Sequence, residues 1–111
     1  MPAIISKLQS LLLTDDVDER CGLILKGNKI IEVPNEHPEP AKGFKIPVEA
    51  LHENEENLIG TWHTHPGDTA NLSQEDYNGF CQWPELKHYI IGVDSVRCFE
   101  VADGLIVEAD L

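Results

Sequence analysis

The sequence predicts a small α/β domain, a mixed β-sheet with one helix at its start and another after a strand that carries two histidines. Three observations lead there. Short apolar runs bounded by turn residues recur along the chain: "CGLIL", "KIIEV", "LIGTWHTH", "HYIIGV", "VRCFEVA" and "LIVEA". Helical spacing of apolar residues is confined to the N-terminal segment and to the segment around Tyr77. The 111 residues suit one domain over 1–111 with a modest core, and no repeat, linker or low-complexity segment divides them.

Taken in order, residues 3–14 place Ile4, Ile5, Leu8, Leu11 and Leu12 at helical spacing, which predicts an amphipathic helix ending before the acidic "TDDVDE". "CGLILKG" and "NKIIEVPN" flank Gly27-Asn28 and read as a β-hairpin. "EHPEPAKG" is a Pro-rich loop. In "FKIPVEAL" Pro47 limits the segment to a short edge strand or a turn, and "HENEEN" reads as a solvated loop. "LIGTWHTH" is a strand stopped by Pro66, followed by the loop "GDTAN". "SQEDYNGFCQW" predicts a helix with Ser73 as N-cap and Asp76 at the third helical position, a variant of the capping box, ending at Pro84. The last three strands are joined by tight turns at "DS" and "DG".

A net charge of −12 makes the chain repel phosphate backbones, so no nucleic-acid partner is expected. Basic proteins, peptides or cations are easier to recruit. Cys21, Cys81 and Cys98 form an odd set without C-x-x-C spacing, which reads as reduced thiols in a cytoplasmic chain. The N-terminus has no basic region ahead of its interrupted apolar residues, so no signal peptide is read. No run approaches the ~20 apolar residues of a membrane span, and no membrane association is expected.

The chemistry concentrates in "HTHPGDTANLSQED". Residues i and i+2 of a strand share a face, so His63 and His65 project side by side while Trp62 turns to the core. The loop after Pro66 is long enough to bring Asp76, in the first turn of the next helix, back to them. Two nitrogens and one carboxylate oxygen suit Zn²⁺ better than Mg²⁺ or Ca²⁺, and a catalytic zinc keeps its fourth position for water. Hydrolysis also needs an acid–base group off the metal. Glu19, Glu75 and the 53–56 cluster are candidates, and Glu19 stands out because its strand can lie beside the histidine strand. Each residue also has an ordinary explanation. Ser73 and Asp76 serve a helix N-terminus, with Ser73 also able to aid a developing oxyanion. Cys21 is either a soft ligand or, more commonly, a buried strand thiol. His37, His52 and His88 lack partners at ligand spacing and read as surface or loop residues. The run Glu53, Glu55, Glu56 is a solvated loop, or a contact for a basic substrate tail.

The pattern His63-x-His65-Pro66, a short loop, then Ser73-x-x-Asp76 resembles the JAMM motif of the MPN-plus metalloproteases. "DERCGLIL" resembles that family's first strand, with Glu19 at the position of its catalytic glutamate. The resemblance implies a cytidine-deaminase-like α/β fold and a zinc-dependent peptidase or isopeptidase with one Zn²⁺ per chain. It implies that His63, His65 and Asp76 bind the zinc with a water, that Glu19 activates that water, and that Ser73 stabilises the tetrahedral intermediate. The implied substrate is a protein or peptide, such as the tail of a ubiquitin-like or sulfur-carrier protein, and members of the family also pair as homodimers. The layout is most similar to prokaryotic and phage-tail members, cytoplasmic in a bacterium, an archaeon or an infected host. The second role the resemblance offers is a weakly catalytic or non-catalytic assembly module, such as a phage tail-assembly component.

Overall fold

The apolar runs pair into one mixed sheet. The computed structural model describes residues 3–13 and 15–109. Along the chain lie α1 (Ala3–Gln9), β1 (Cys21–Leu25), β2 (Lys29–Val33), α2 (Val48–Glu53), β3 (Leu58–Thr64), α3 (Gln74–Cys81), β4 (Lys87–Ile91), β5 (Val96–Ala102) and β6 (Leu105–Ala109). The strands stand in the order β2-β1-β3-β4-β5-β6. Neighbours are antiparallel except β3 and β4, whose parallel pairing is made possible by the crossover through α3.

Alternation along β3 assigns the two faces. Trp62 is fully buried among Ile4, Ile5 and Leu8 of α1, with Ile24, Ile91 and Val96 beside it. His63 and Thr61 point the other way, where Phe80 of α3 packs on Ile90 and Phe99, and Leu51 of α2 packs on Leu23 and Leu25. A register irregularity where Leu25 meets Leu58 lets Leu58 join the Leu51 cluster. The turn at Gly27 and Asn28 has positive φ at both residues, as does the turn at Asp103 and Gly104 between β5 and β6. These are the conformations that Gly, Asn and Asp tolerate best.

Two segments differ from the sequence reading. The first helix ends at Gln9 and its chain continues as turns through Leu12. There the Ser10 hydroxyl donates to the Lys7 carbonyl at 2.7 Å, and Arg20 Nη1 donates to the Leu11 carbonyl at 2.6 Å. These bonds give the last carbonyls partners outside a continued helix. Position 14, the end of the expected helix, lies outside the described residues. "FKIPVEAL" is neither strand nor turn alone, because Pro47 serves as the N-cap residue of the short helix α2. A proline has no N–H to lose at a helix start, so the residue that argues against a sheet interior here opens a helix.

Close backbone approach requires glycine at Gly22. The Trp62 indole leans across it and donates from Nε1 to the Ile31 carbonyl at 3.1 Å. A Cβ at Gly22 would overlap that carbonyl oxygen and stand 2.5 Å from Trp62 Nε1. Gly22→Ala is therefore expected to destabilise the fold by about 2 kcal/mol or more through overpacking and loss of the indole bond. Urea denaturation with unchanged slope and a lowered midpoint is the expected reading; a midpoint equal to wild type would show that the sheet relaxes around the methyl group.

Candidate metal centre

The centre sits at the C-terminal end of β3. The chain continues past Thr64 in the β-ladder direction, with His65 N–H donating to the Ile91 carbonyl at 2.8 Å. Thr64, between the histidines, is buried and holds the neighbouring strand. Its N–H donates to the Arg20 carbonyl, and its Oγ1 accepts from the Arg20 N–H, both at 2.9 Å. With Cys21 opposite His63, this extends the β1–β3 ladder and turns Glu19 toward the histidine face. Arg20 points to the opposite face, paired with Glu32 through Nε at 2.9 Å and Nη2 at 2.7 Å.

α3 delivers the carboxylate. Ser73 Oγ accepts from the Asp76 N–H at 3.0 Å, and Asp76 Oδ2 accepts from the Ser73 N–H at 3.2 Å, a reciprocal capping box. The same carboxylate reaches both imidazoles, Oδ1 to His63 Nε2 and Oδ2 to His65 Nε2, each at 3.1 Å. The two Nε2 atoms stand 3.0 Å apart. Glu19 Oε1 is 4.0 Å from His63 Nε2. One donor atom from each of Glu19, His63, His65 and Asp76 lies within 4.8 Å of all the others, a group that could hold a metal ion.

Tautomers favour that use. A carbonyl can only accept, so the 2.9 Å contact between His65 Nδ1 and the Thr69 carbonyl requires N–H at Nδ1 and leaves a lone pair on Nε2 in the neutral ring. In that form the lone pair faces His63 Nε2 and a carboxylate, as a metal ligand requires; in the protonated ring Nε2–H donates to Asp76 Oδ2 instead. Glu19 Oε1 and His63 Nδ1 are buried with no hydrogen-bond partner among the described residues. A cation within the group gives Glu19 Oε1 an electrostatic partner there. The loop that supplies the Thr69 carbonyl is pinned by Asp94, whose Oδ1 accepts from Ala70 N–H at 2.9 Å. It passes so close to Gly92 that a Cβ there would overlap Ala70 N.

Protonation follows the same geometry. Burial pushes the Glu19 carboxyl up to about 7, with the His65 charge opposing and Asp76 and Glu75 adding to it. Burial holds His63 below the ordinary imidazole value against the pull of Asp76. For His65 burial also acts downward, but the bond to Asp76 and the Thr69 carbonyl outweigh it and the net direction is up. Asp76, despite its burial, lies well below the ordinary carboxylate range because both histidines bond to it.

Glu19, His63, His65 and Asp76 are thus brought together, with Ser73 one hydrogen bond away. The other candidates stand apart. Glu75 is exposed and bridges to His37, and the Glu53, Glu55 and Glu56 side chains are exposed around the end of α2. Cys21 is a buried strand thiol held up to about 12 by burial, its Sγ 3.9 Å from the Val33 and Pro34 carbonyls. His88 is a correction: it is buried on β4 rather than at the surface or in a loop. It stacks on Phe80 at 4.3 Å, with Nδ1 2.8 Å from Thr61 Oγ1 and Nε2 3.0 Å from the Trp83 carbonyl. A histidine with both nitrogens satisfied is a stable core residue, and only the sheet register reveals those partners. Phe44, unmarked in the sequence, stacks on His63 with ring centres 4.0 Å apart and shields that side of the ligand group.

The sequence matches the model of prokaryotic homologs of the JAB domain over residues 2–102. No curated protein sequence matches it. Among solved structures, the solution structure of protein DSY2949 from Desulfitobacterium hafniense is similar with a TM-score of 0.72 at 20% identity, over 95% of this chain and 84% of that one. At that identity the likeness speaks for the fold alone. The family match takes in β1, the histidine strand and α3, the elements that build the centre, and by it the chain belongs to the family of prokaryotic JAB-domain proteins.

Proposed function

We propose that the protein is a zinc-dependent metallopeptidase or isopeptidase that hydrolyses a peptide or isopeptide bond in a protein substrate, such as the tail of a ubiquitin-like or sulfur-carrier protein. The observation that carries this reading is the convergence of two imidazole nitrogens and a carboxylate with a second, buried carboxyl group beside them. His63, His65 and Asp76 are the proposed zinc ligands. A tetrahedral ion with bonds near 2.0–2.1 Å sets its ligands about 3.3 Å apart. The separations here are 3.0 and 3.1 Å, so small outward shifts suffice. Zinc held there would act as a Lewis acid and bring the pKa of a water to about 7.

The protein groups divide the remaining work. Glu19 takes a proton from the attacking water as its oxygen adds to the scissile carbonyl carbon. It returns the proton to the leaving nitrogen as the C–N bond breaks. Its position at the edge of the ligand group, raised to about 7 by burial, suits a group that must both accept and release a proton near neutrality; a neighbouring cation draws the value down. Ser73 Oγ accepts from the Asp76 N–H, so its own O–H remains to donate to the oxyanion of the substrate. Beside the centre a cavity of about 410 Å³, lined in part by Phe44, Ile46, Leu51, Phe80 and Trp83, offers room for an apolar side chain of a polypeptide. No described helix is long and apolar enough to cross a membrane.

Elemental analysis of the purified protein is expected to give about one zinc per chain, and His63→Ala to lower zinc affinity about 100-fold or more with the circular dichroism spectrum intact. Absence of zinc in the wild type after reconstitution would leave an assembly or binding module as the better description. Glu19→Gln is expected to keep the metal and lose about 10²- to 10⁴-fold in cleavage of fusions extending a ubiquitin-like C-terminus. Normal cleavage by that variant would remove Glu19 from the reaction. Chelation is expected to abolish cleavage while shifting the thermal midpoint by only a few degrees, since β1, β3 and α3 are held by ladder and core contacts away from the ion. Collapse of the fold on chelation would instead indicate a structural metal.

A further inference from the structure

Glu19 lies outside the regular ladder, since β1 begins at Cys21. Its own backbone groups are satisfied by the loop between β2 and α2. The Glu19 N–H donates to the Pro40 carbonyl at 2.7 Å. The Glu19 carbonyl accepts from Asn35 Nδ2 at 2.8 Å. Asn35 is also the knot of that loop. The same Nδ2 donates to the Gly43 carbonyl at 3.0 Å, and Oδ1 accepts from the His37 N–H at 3.0 Å and the Lys45 N–H at 2.9 Å. Two carbonyls face one end of the amide and two N–H groups face the other, so its orientation is fixed and its hydrogen-bonding capacity is fully used. The part-buried Asn35 side chain thus ties both ends of the Pro-rich loop together and fastens the knot to Glu19.

From this geometry we infer that Asn35 is the positioning residue for Glu19, holding its carboxyl at the ligand group through the backbone. The inference rests on the proposed role of Glu19 as the acid–base group. Asn35 touches none of His63, His65 and Asp76, whose places are set by β3 and α3. It therefore acts on the proton-transferring group and leaves the metal ligands alone. No other residue type of this size fits. Aspartate keeps the two accepting contacts to His37 and Lys45, but loses both donated bonds and sets a carboxylate against the Glu19 and Gly43 carbonyls.

Asn35→Asp separates the two ends of the amide and is the variant of choice; Asn35→Ala removes both. Amide hydrogen exchange on the metal-free protein is expected to show protection at Glu19 lowered about tenfold in Asn35→Asp, with Gly22, Trp62 and His63 unchanged. Zinc affinity is expected to stay at the wild-type value. Cleavage is expected to fall toward that of Glu19→Gln, and Asn35→Asp is expected to add nothing to the loss already caused by Glu19→Gln. Unchanged protection at Glu19 would overturn the inference, as would a loss in the Glu19→Gln background equal to that in wild type. If the wild type binds no zinc or cleaves nothing, the proposed function fails and exchange at Glu19 alone decides the role of Asn35, with unchanged protection counting against it.

Discussion

Cys21 stands opposite His63 in the antiparallel ladder between β1 and β3, and the arrangement of the centre depends on that register. A slip of one residue would turn Glu19 to the α1 face and bring Arg20 among the histidines. The fold protects the register from both sides. On the α1 face Gly22 leaves room for the Trp62 indole, which crosses β1 to bond the Ile31 carbonyl of β2. At the end of the ladder Arg20 exchanges two hydrogen bonds with Thr64 and anchors its side chain on Glu32, Asp16 and the Leu11 carbonyl. Any other alignment would strand these groups. The Cys-Gly-Leu run beside Glu19 thus belongs to the centre through its lack of a side chain at Gly22.

The ligand group is costly without an ion. Two imidazole rings and two carboxyl groups lie close together at low exposure, with Glu19 Oε1 and His63 Nδ1 unpaired among the described residues. Burial without a partner costs on the order of 1–3 kcal/mol for each such atom. The surrounding structure carries this load by conventional means. The capping box fixes Asp76 whether or not a metal is present, the Thr69 carbonyl fixes the His65 ring, and Phe44 and Phe80 flank His63. Groups this unfavourable in isolation and this well supported from behind are what a site prepared for a cation requires.

Legibility in the sequence follows the range of the interactions. His63 and His65 share a face because alternation is a local property of a strand, and Asp76 comes back to them because a capping box reports a helix start within a few residues. Glu19 is one candidate among several from strand placement alone and is singled out as the base by the resemblance to a family pattern, since its place depends on pairing across more than 40 positions of chain. The hairpin at Gly27-Asn28 and the turn at Asp103-Gly104 were readable from turn chemistry. Four features were not. α2 was masked by Pro47, whose meaning changes between sheet and helix start. His88 reads as a surface or loop residue because Thr61 and the Trp83 carbonyl meet it only in the folded sheet. Phe44 and Asn35 lie in a Pro-rich loop with no periodicity, where an aromatic that shields a ligand and an amide that ties a loop look like any others.

Two scaffolds meet at the centre and remain separable. His63, His65 and Asp76 hang from β3 and α3, joined by a loop pinned at Asp94. Glu19 hangs from the lead into β1 and from the loop knotted at Asn35. The two share the Arg20–Thr64 exchange and the stacking of Phe44, of the second scaffold, on His63, of the first. On the proposed function, a change confined to the Asn35 loop therefore alters proton transfer while leaving the proposed ligand triad on its own supports, whereas a change in α3 unseats a proposed ligand and a helix cap together. Asp76 cannot be exchanged without cost to both fold and site. Glu19, held by backbone contacts that do not involve its side chain, can be exchanged at little cost to the fold, so in this architecture loss of the proposed catalysis need not cost the chain its structure or its capacity to hold an ion.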